Sequence, residues 1–105
     1  MHRFERWREA LHDAPSEKTI AQLIQDYVSF IPAADRDGLP PKCQQVLAQP
    51  TADIRQSAVA LLECELAYRD ENAQTGVLLH EIAHTFAAAA VRLAQLSARS
   101  DFIDR

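Results

Sequence analysis

Glycine is scarce in this chain of 105 residues. Only Gly38 and Gly76 occur, and the five prolines fall between apolar-periodic segments rather than inside them. Flexible or helix-breaking positions are therefore confined to a few connections, which favours helices joined by short turns. The same scarcity leaves no glycine-rich phosphate-binding loop.

Cysteine is also rare, with Cys43 and Cys64 far apart in the sequence and no C-x-x-C pair. This spacing predicts reduced, partly buried thiols, although it does not exclude a disulfide. Neither position has neighbours that indicate a low-pKa catalytic thiol.

Positive charge is not in excess. The formal net charge is −4, and the arginines near the amino end (Arg3, Arg6, Arg8) are interleaved with Glu5 and Glu9. A broad basic surface is the usual requirement for binding phosphates, so no nucleic-acid partner is expected.

The first 20 residues lack an unbroken apolar core, and no apolar run approaches the length of about 20 residues that crosses a bilayer. We therefore expect a cytoplasmic protein without a membrane partner.

Apolar residues make up 48% of the chain and charged residues 25%, which is typical of a folded globular protein. Apolar residues recur at three- and four-residue steps in four long segments and one short one. The predicted helices span residues 2–12, 17–31, 41–48, 51–69 and 75–98. Residues 33–39 are predicted to form a loop. Residues 70–75 either turn the chain back or kink one very long helix, and the sequence leaves both open. The fold expected for 1–105 is a single all-α domain, a mostly antiparallel bundle of four principal helices plus one short helix.

The last predicted helix carries the pattern H-E-x-x-H as His80-Glu81-Ile82-Ala83-His84. Over about ten residues this stretch resembles the zincin metallopeptidases, whose helix is likewise apolar around the motif. The resemblance implies that His80 and His84 are zinc ligands and that Glu81 is the general base. Catalytic zinc generally takes a third protein ligand, for which Glu65 and Asp101 are the candidates.

Glu65 interrupts the apolar stripe of the fourth long helix, where a carboxylate needs a partner. If residues 70–74 turn the chain back, Glu65 comes level with about His80, and Leu61 with about His84. The apolar stripe predicted to be buried in the last helix consists of Leu79, Ile82, Phe86, Ala89, Leu93 and Leu96. The histidines lie on the side of the helix away from this stripe, near Val77, Val91 and Gln95. Either a hydrogen bond between Glu65 and a histidine or a three-residue metal site fits this placement.

Three functions remain open from the sequence. The leading hypothesis is a small protein of bacterial-looking composition that works by protein–protein contact without catalysis or a cofactor. A homodimer is one form that this contact could take. The second is a minimal zinc-dependent hydrolase that uses the HEIAH motif. The third is a non-catalytic metal-binding or pH-responsive site on the same histidines.

Overall fold

The computed structural model describes residues 3–68 and 70–103, and the side chains of residues 5–68 and 70–99. The described chain is all-α and contains no strand, as the sequence predicts. Its helices are α1 (Arg3–His12), α2 (Glu17–Phe30), α3 (Ala33–Asp37), α4 (Pro41–Ala48), α5 (Ile54–Tyr68) and α6 (Ala73–Ile103).

The five predicted helices are present, with differences at their ends that local hydrogen bonds explain. Ser16 caps α2, because its side-chain oxygen accepts a hydrogen bond from the Thr19 backbone N–H at 3.2 Å. Helix α5 begins three residues later than predicted, after Asp53, whose carboxylate accepts from the Gln56 N–H at 3.1 Å. A side-chain cap thus sets the start of each of these helices.

The count of helices was wrong by one, because the predicted loop 33–39 contains α3. Pro32 provides the reason: its carbonyl accepts hydrogen bonds from the N–H groups of Asp35 and Arg36 at 3.0 and 3.1 Å. Proline has a backbone angle compatible with a helix start, so these two bonds close one helical turn despite the turn-forming residues that follow.

The last helix is longer than predicted at both ends. Asn72 starts it, since its side-chain oxygen accepts from the N–H groups of Gln74 and Thr75 at 2.9 and 3.3 Å. At the other end the helix continues to Ile103, five residues beyond the predicted end at residue 98. Helix α6 is therefore 31 residues long and gives the molecule its longest dimension, 49 Å.

Helix α6 is the element on which the others assemble. It packs most extensively on α5, and α1 and α2 also lie against it. Its own contribution to the core consists of side chains that are fully inaccessible to solvent: Leu79, Ile82, Ala83, Phe86 and Ala89. All but Ala83 belong to the predicted stripe, whereas Leu93 and Leu96 at the end of that stripe are only half-buried.

Part of α6, Ala73–Arg99, is long and apolar enough to cross a membrane by length and composition. This differs from the expectation that no segment approaches that length, because frequent alanines raise the average apolarity without forming an unbroken apolar run. One third of its most apolar window is buried inside the protein. A core helix of a folded domain meets the same criterion.

Candidate metal site at the hairpin of α5 and α6

The hairpin brings one carboxylate and two imidazoles together. Oε2 of Glu65 lies 2.6 Å from Nδ1 of His80, and Oε1 of the same carboxylate lies 3.6 Å from Nε2 of His84. The three ligand atoms that these residues can offer all lie within 4.8 Å of one another. The pairing of Glu65 with His80 is the one expected if residues 70–74 turn the chain back, and their contact is a hydrogen bond, one of the two alternatives that the sequence left open.

The register depends on the connection between the two helices. Helix α5 ends at Tyr68 and α6 begins at Ala73, so the chain reverses within four residues. Had one long helix continued instead, Glu65 and His80 would lie more than four turns apart, because a turn takes 3.6 residues. The Asn72 cap that starts α6 therefore also determines whether the three side chains meet.

The histidines lie on one side of α6, because residues four apart in a helix are one turn apart. Their ring centroids are separated by 4.1 Å and the ring planes are tilted by 38°. The side chains of His80 and His84 are 52% and 43% exposed, whereas that of Glu65 is 17% exposed. A fixed, largely buried carboxylate thus faces two accessible imidazoles.

A metal ion and the present hydrogen bond exclude each other. Two ligands of one tetrahedral zinc ion are separated by about 3.3 to 3.5 Å, given bonds of about 2.0 to 2.2 Å. The Glu65–His84 separation of 3.6 Å is close to this value, but the 2.6 Å contact between Glu65 and His80 is too short for it. The Glu65 and His80 side chains must therefore move apart to admit an ion, and the exposure of His80 leaves room for that movement.

Glu81, the general base implied by the zincin resemblance, lies apart from these three residues. Its Oε2 atom is 3.4 Å from the Arg8 guanidinium of α1, and neither side chain is fully exposed. Glu81 also borders a shallow pocket of about 230 Å³ together with Phe30, Pro32 and Val77. His80, His84 and Glu65 do not line this pocket, so it does not join Glu81 to the candidate ligands.

Asp101, the other candidate for a third ligand, lies outside the residues whose side chains are described. Among the described residues, Glu65 is the carboxylate that accompanies the two histidines.

The side of α6 that faces α1 and α2 carries polar contacts that the sequence did not reveal. The fully buried Thr85 donates a hydrogen bond from its hydroxyl to the Glu81 carbonyl at 2.8 Å. Burial raises the pKa of the neighbouring Tyr27. Arg92 donates from Nε to the Ala14 carbonyl at 2.7 Å, which ties α6 to the connection between α1 and α2. The sequence does hint at these contacts, because Glu81 and Arg92, the two charged residues of 73–98, fall on this same side of the helix.

Cys43 of α4 and Cys64 of α5 are both free and both buried. Burial raises the pKa of the Cys43 thiol, and its neighbour Cys64 raises it further. A thiol that retains its proton is a poor nucleophile and a poor metal ligand, so the cysteines are core residues here.

No family model, curated protein or solved structure matches this chain.

Proposed function

We propose that this protein binds a divalent transition-metal ion, zinc being the best fit, through Glu65, His80 and His84, and that the site is not catalytic. The convergence of three donor atoms within 4.8 Å carries the proposal. Imidazole and carboxylate form a ligand set that suits zinc, and three protein ligands leave one tetrahedral position unfilled.

Two observations favour metal binding over metal-dependent hydrolysis. Glu81 is engaged by Arg8, so it lacks the orientation toward the candidate ligands that a general base acting on metal-bound water requires. The histidines lie on an exposed helix surface, whereas hydrolytic sites are generally concave and exclude water around the substrate. The hydrolase remains the alternative proposal.

Calorimetric titration of the full chain with zinc tests the proposal. We expect one ion per chain, bound with submicromolar affinity, and loss of binding in the double variant His80→Ala, His84→Ala and in Glu65→Ala. His12→Ala is the matched control, because His12 is an exposed histidine at the end of α1, away from the three candidate ligands. Unchanged binding in the double variant would contradict the proposal.

A stability measurement complements the titration. An ion that binds only the folded state at 100 times its dissociation constant adds about 2.7 kcal/mol to the free energy of unfolding. Zinc should therefore raise the denaturation midpoint of the wild type and of His12→Ala, but not that of the double variant. A rise in all three proteins would assign zinc to another site.

Protein–protein contact without catalysis is a second candidate function, favoured by a specific feature of the same hairpin. Four large apolar side chains are at least half exposed on α5 and α6: Val59, Leu66, Val77 and Val91. Contiguous exposed apolar surface is typical of a contact surface, and two of these side chains lie on each helix of the hairpin. Under this proposal the protein works in the cytoplasm, where Cys43 and Cys64 remain reduced.

We also propose that the helices form a mostly antiparallel bundle in which α3 and α4 serve as short connecting helices between α2 and α5. The hairpin register of Glu65 and His80 supports the antiparallel course of α5 and α6. The contacts of Arg8 with Glu81 and of Ala14 with Arg92 support the alignment of α1 along α6.

A further inference from the structure

Two adjoining cavities form one groove between the end of α2 and the start of α6. The more enclosed cavity has a volume of about 230 Å³, and the more open one has a volume of about 530 Å³. The cavities are continuous with each other, because both are lined by Asp35, Gln74, Val77 and Leu78. Glu65, His80 and His84 line neither cavity, so this α2–α6 groove is separate from the candidate metal site.

The lining of the α2–α6 groove is largely apolar and partly open to solvent. Phe30, the last residue of α2, is 40% exposed, and Val77, in the second turn of α6, is 65% exposed. Leu78 and Pro32 extend this apolar lining along the more enclosed cavity. A ligand with an apolar body would gain about 25 cal/mol for each Å² of this surface that it removes from water.

The acidic residue at the groove is held in place by the short helix α3. The Pro32 carbonyl accepts hydrogen bonds from the N–H groups of Asp35 and Arg36 at 3.0 and 3.1 Å, which fixes the backbone of Asp35 directly after the apolar end of α2. The sequence alone predicted a loop here, so the placement of this carboxylate beside α6 is a result of the tertiary structure.

The charge of the α2–α6 groove has one sign. Among the described residues that line it, the charged ones are Asp35 and Glu81, and both are acidic. Glu81 pairs with Arg8 at 3.4 Å, whereas no described residue forms a hydrogen bond or an ion pair with the Asp35 carboxylate. The side-chain oxygen of Gln74 supplies a second hydrogen-bond acceptor at the groove.

The start of α6 does not offset this preference for positive charge. The first N–H groups of a helix usually attract anions because they lack partners. In α6 the side chain of Asn72 accepts from Gln74 and Thr75 at 2.9 and 3.3 Å, and its carbonyl accepts from the Gly76 N–H at 2.8 Å. An anion would therefore find these three donors in use and would be repelled by Asp35.

From these observations we propose that the α2–α6 groove binds a primary aliphatic amine, whose ammonium group lies at Asp35 and Gln74. The alkyl chain lies against Phe30, Val77 and Leu78. A primary amine is protonated at neutral pH, as the lysine side chain is, and supplies three N–H donors. The more enclosed cavity is smaller than the range of about 300 to 1,000 Å³ that is typical of sites for drug-sized ligands, which suits a short unbranched chain. The inference is independent of the proposed metal site.

A nuclear magnetic resonance titration of the ¹⁵N-labelled full chain tests the inference, with chelator present so that no metal ion binds the amine. The three probes are hexylamine, the neutral hexanol and the anionic hexanoate, which share one apolar chain. We expect saturable shifts of the Gln74, Val77 and Leu78 amides with hexylamine. Hexylamine should bind about fivefold more tightly than hexanol, as one exposed charge pair provides, and hexanoate should bind more weakly than hexanol.

Two isosteric variants separate charge from shape. Asp35→Asn should weaken hexylamine binding by about fivefold and leave hexanol binding unchanged, because it removes the charge alone. Asp37→Asn is the matched control, since Asp37 is an exposed residue of the same helix α3 and lines neither cavity. Val77→Ala should weaken the binding of both probes by similar factors, because it removes apolar contact without changing charge.

Several outcomes would overturn the inference. These are an absence of saturable shifts at the groove, equal affinities of the wild type for hexylamine and hexanol, and tighter binding of hexanoate than of hexylamine. An equal response of Asp35→Asn and Asp37→Asn to hexylamine would also overturn it. Both variants should retain the amide spectrum of the folded wild type, as expected for substitutions at exposed positions. Should Asp35→Asn fail to fold, the three probes on the wild type decide the result.

Discussion

The two sides of α6 use polar residues in opposite ways. On the inner side, Glu81, Thr85 and Arg92 each contact a group within the same chain, so their polar atoms are used in holding α6 against α1 and α2. On the outer side, His80 and His84 share one carboxylate and keep much of their surface exposed. Polar groups that form their hydrogen bonds within the chain are typical of structural residues, whereas accessible donor atoms that converge on one point are available to a ligand.

The two sides of α6 also separate the histidines of the H-E-x-x-H motif from its glutamate. In the zincin resemblance the glutamate and the histidines act on one metal ion. Here the histidines lie toward α5 and the glutamate lies toward α1, because positions 80 and 81 differ by about 100° around the helix and each direction is occupied by a different neighbour. The packing partners of a motif therefore decide which of its residues can act together.

The largest expected effect on the free energy of unfolding comes from a core residue on the buried side of α6. Phe86 is fully buried in the core, so Phe86→Ala should lower the free energy of unfolding by about 3 to 5 kcal/mol through lost burial and an unfilled cavity. Val91→Ala on the outer side should change the stability of the monomer by less than about 0.5 kcal/mol, because that side chain is exposed. Urea denaturation of both variants in chelator measures the difference. Similar losses in the two variants would refute the division into two sides.

Alkaline pH should lower the free energy of unfolding through buried ionisable groups of the core, not through the residues on the outer side of α6. Cys43 and Tyr27 have raised pKa values in the folded protein because they are buried. The folded state therefore keeps protons that the unfolded state releases, and stability is present at neutral pH and lost as the pH rises through about 9 and above. Each such group contributes a slope of up to about 1.4 kcal/mol per pH unit. Urea denaturation in reducing buffer between pH 8 and 10 should show this fall, with a smaller slope in Cys43→Ala. A flat profile in the wild type would contradict the burial of ionisable groups.

The smallest expected effect belongs to Glu81. Glu81→Gln removes the charge partner of Arg8, a partly exposed pair, and should cost less than about 1 kcal/mol. Zinc affinity should stay within about twofold of the wild type, since the Glu81 carboxylate is not among the converging ligands. Calorimetry of this variant beside Glu65→Gln provides the sharpest contrast between the two carboxylates. A large loss of zinc affinity in Glu81→Gln would return Glu81 to the metal site and favour the hydrolase.

Periodicity was sufficient to predict most of the fold. Apolar steps of three and four residues located the five longest helices, and the same steps predicted the burial of Leu79, Ile82 and Phe86 in α6. Helix α3 was missed because its residues favour turns, and a single turn is too short to show a period. The true start of α6 was missed by two residues, since the hydrogen bonds of a capping side chain extend a helix beyond its apolar pattern.

The site could be predicted only in part. A charged residue within an apolar stripe, together with a short turn, was enough to bring Glu65 level with His80. The role of Glu81 could not be derived in this way, because Arg8 lies 73 positions away and nothing in the local sequence pairs the two. Polar contacts between residues far apart in the chain, such as those on the inner side of α6, leave no periodic pattern in the sequence.

The sequence by itself determined the all-α class, the positions of the main helices and the side of α6 on which the histidines lie. These follow from repeating local geometry, which a periodic pattern records directly. Only the tertiary structure decided that Glu65 reaches both histidines while Glu81 turns to Arg8. That choice depends on which helix packs against each side of α6, and helix packing is set by contacts between residues distant in the chain.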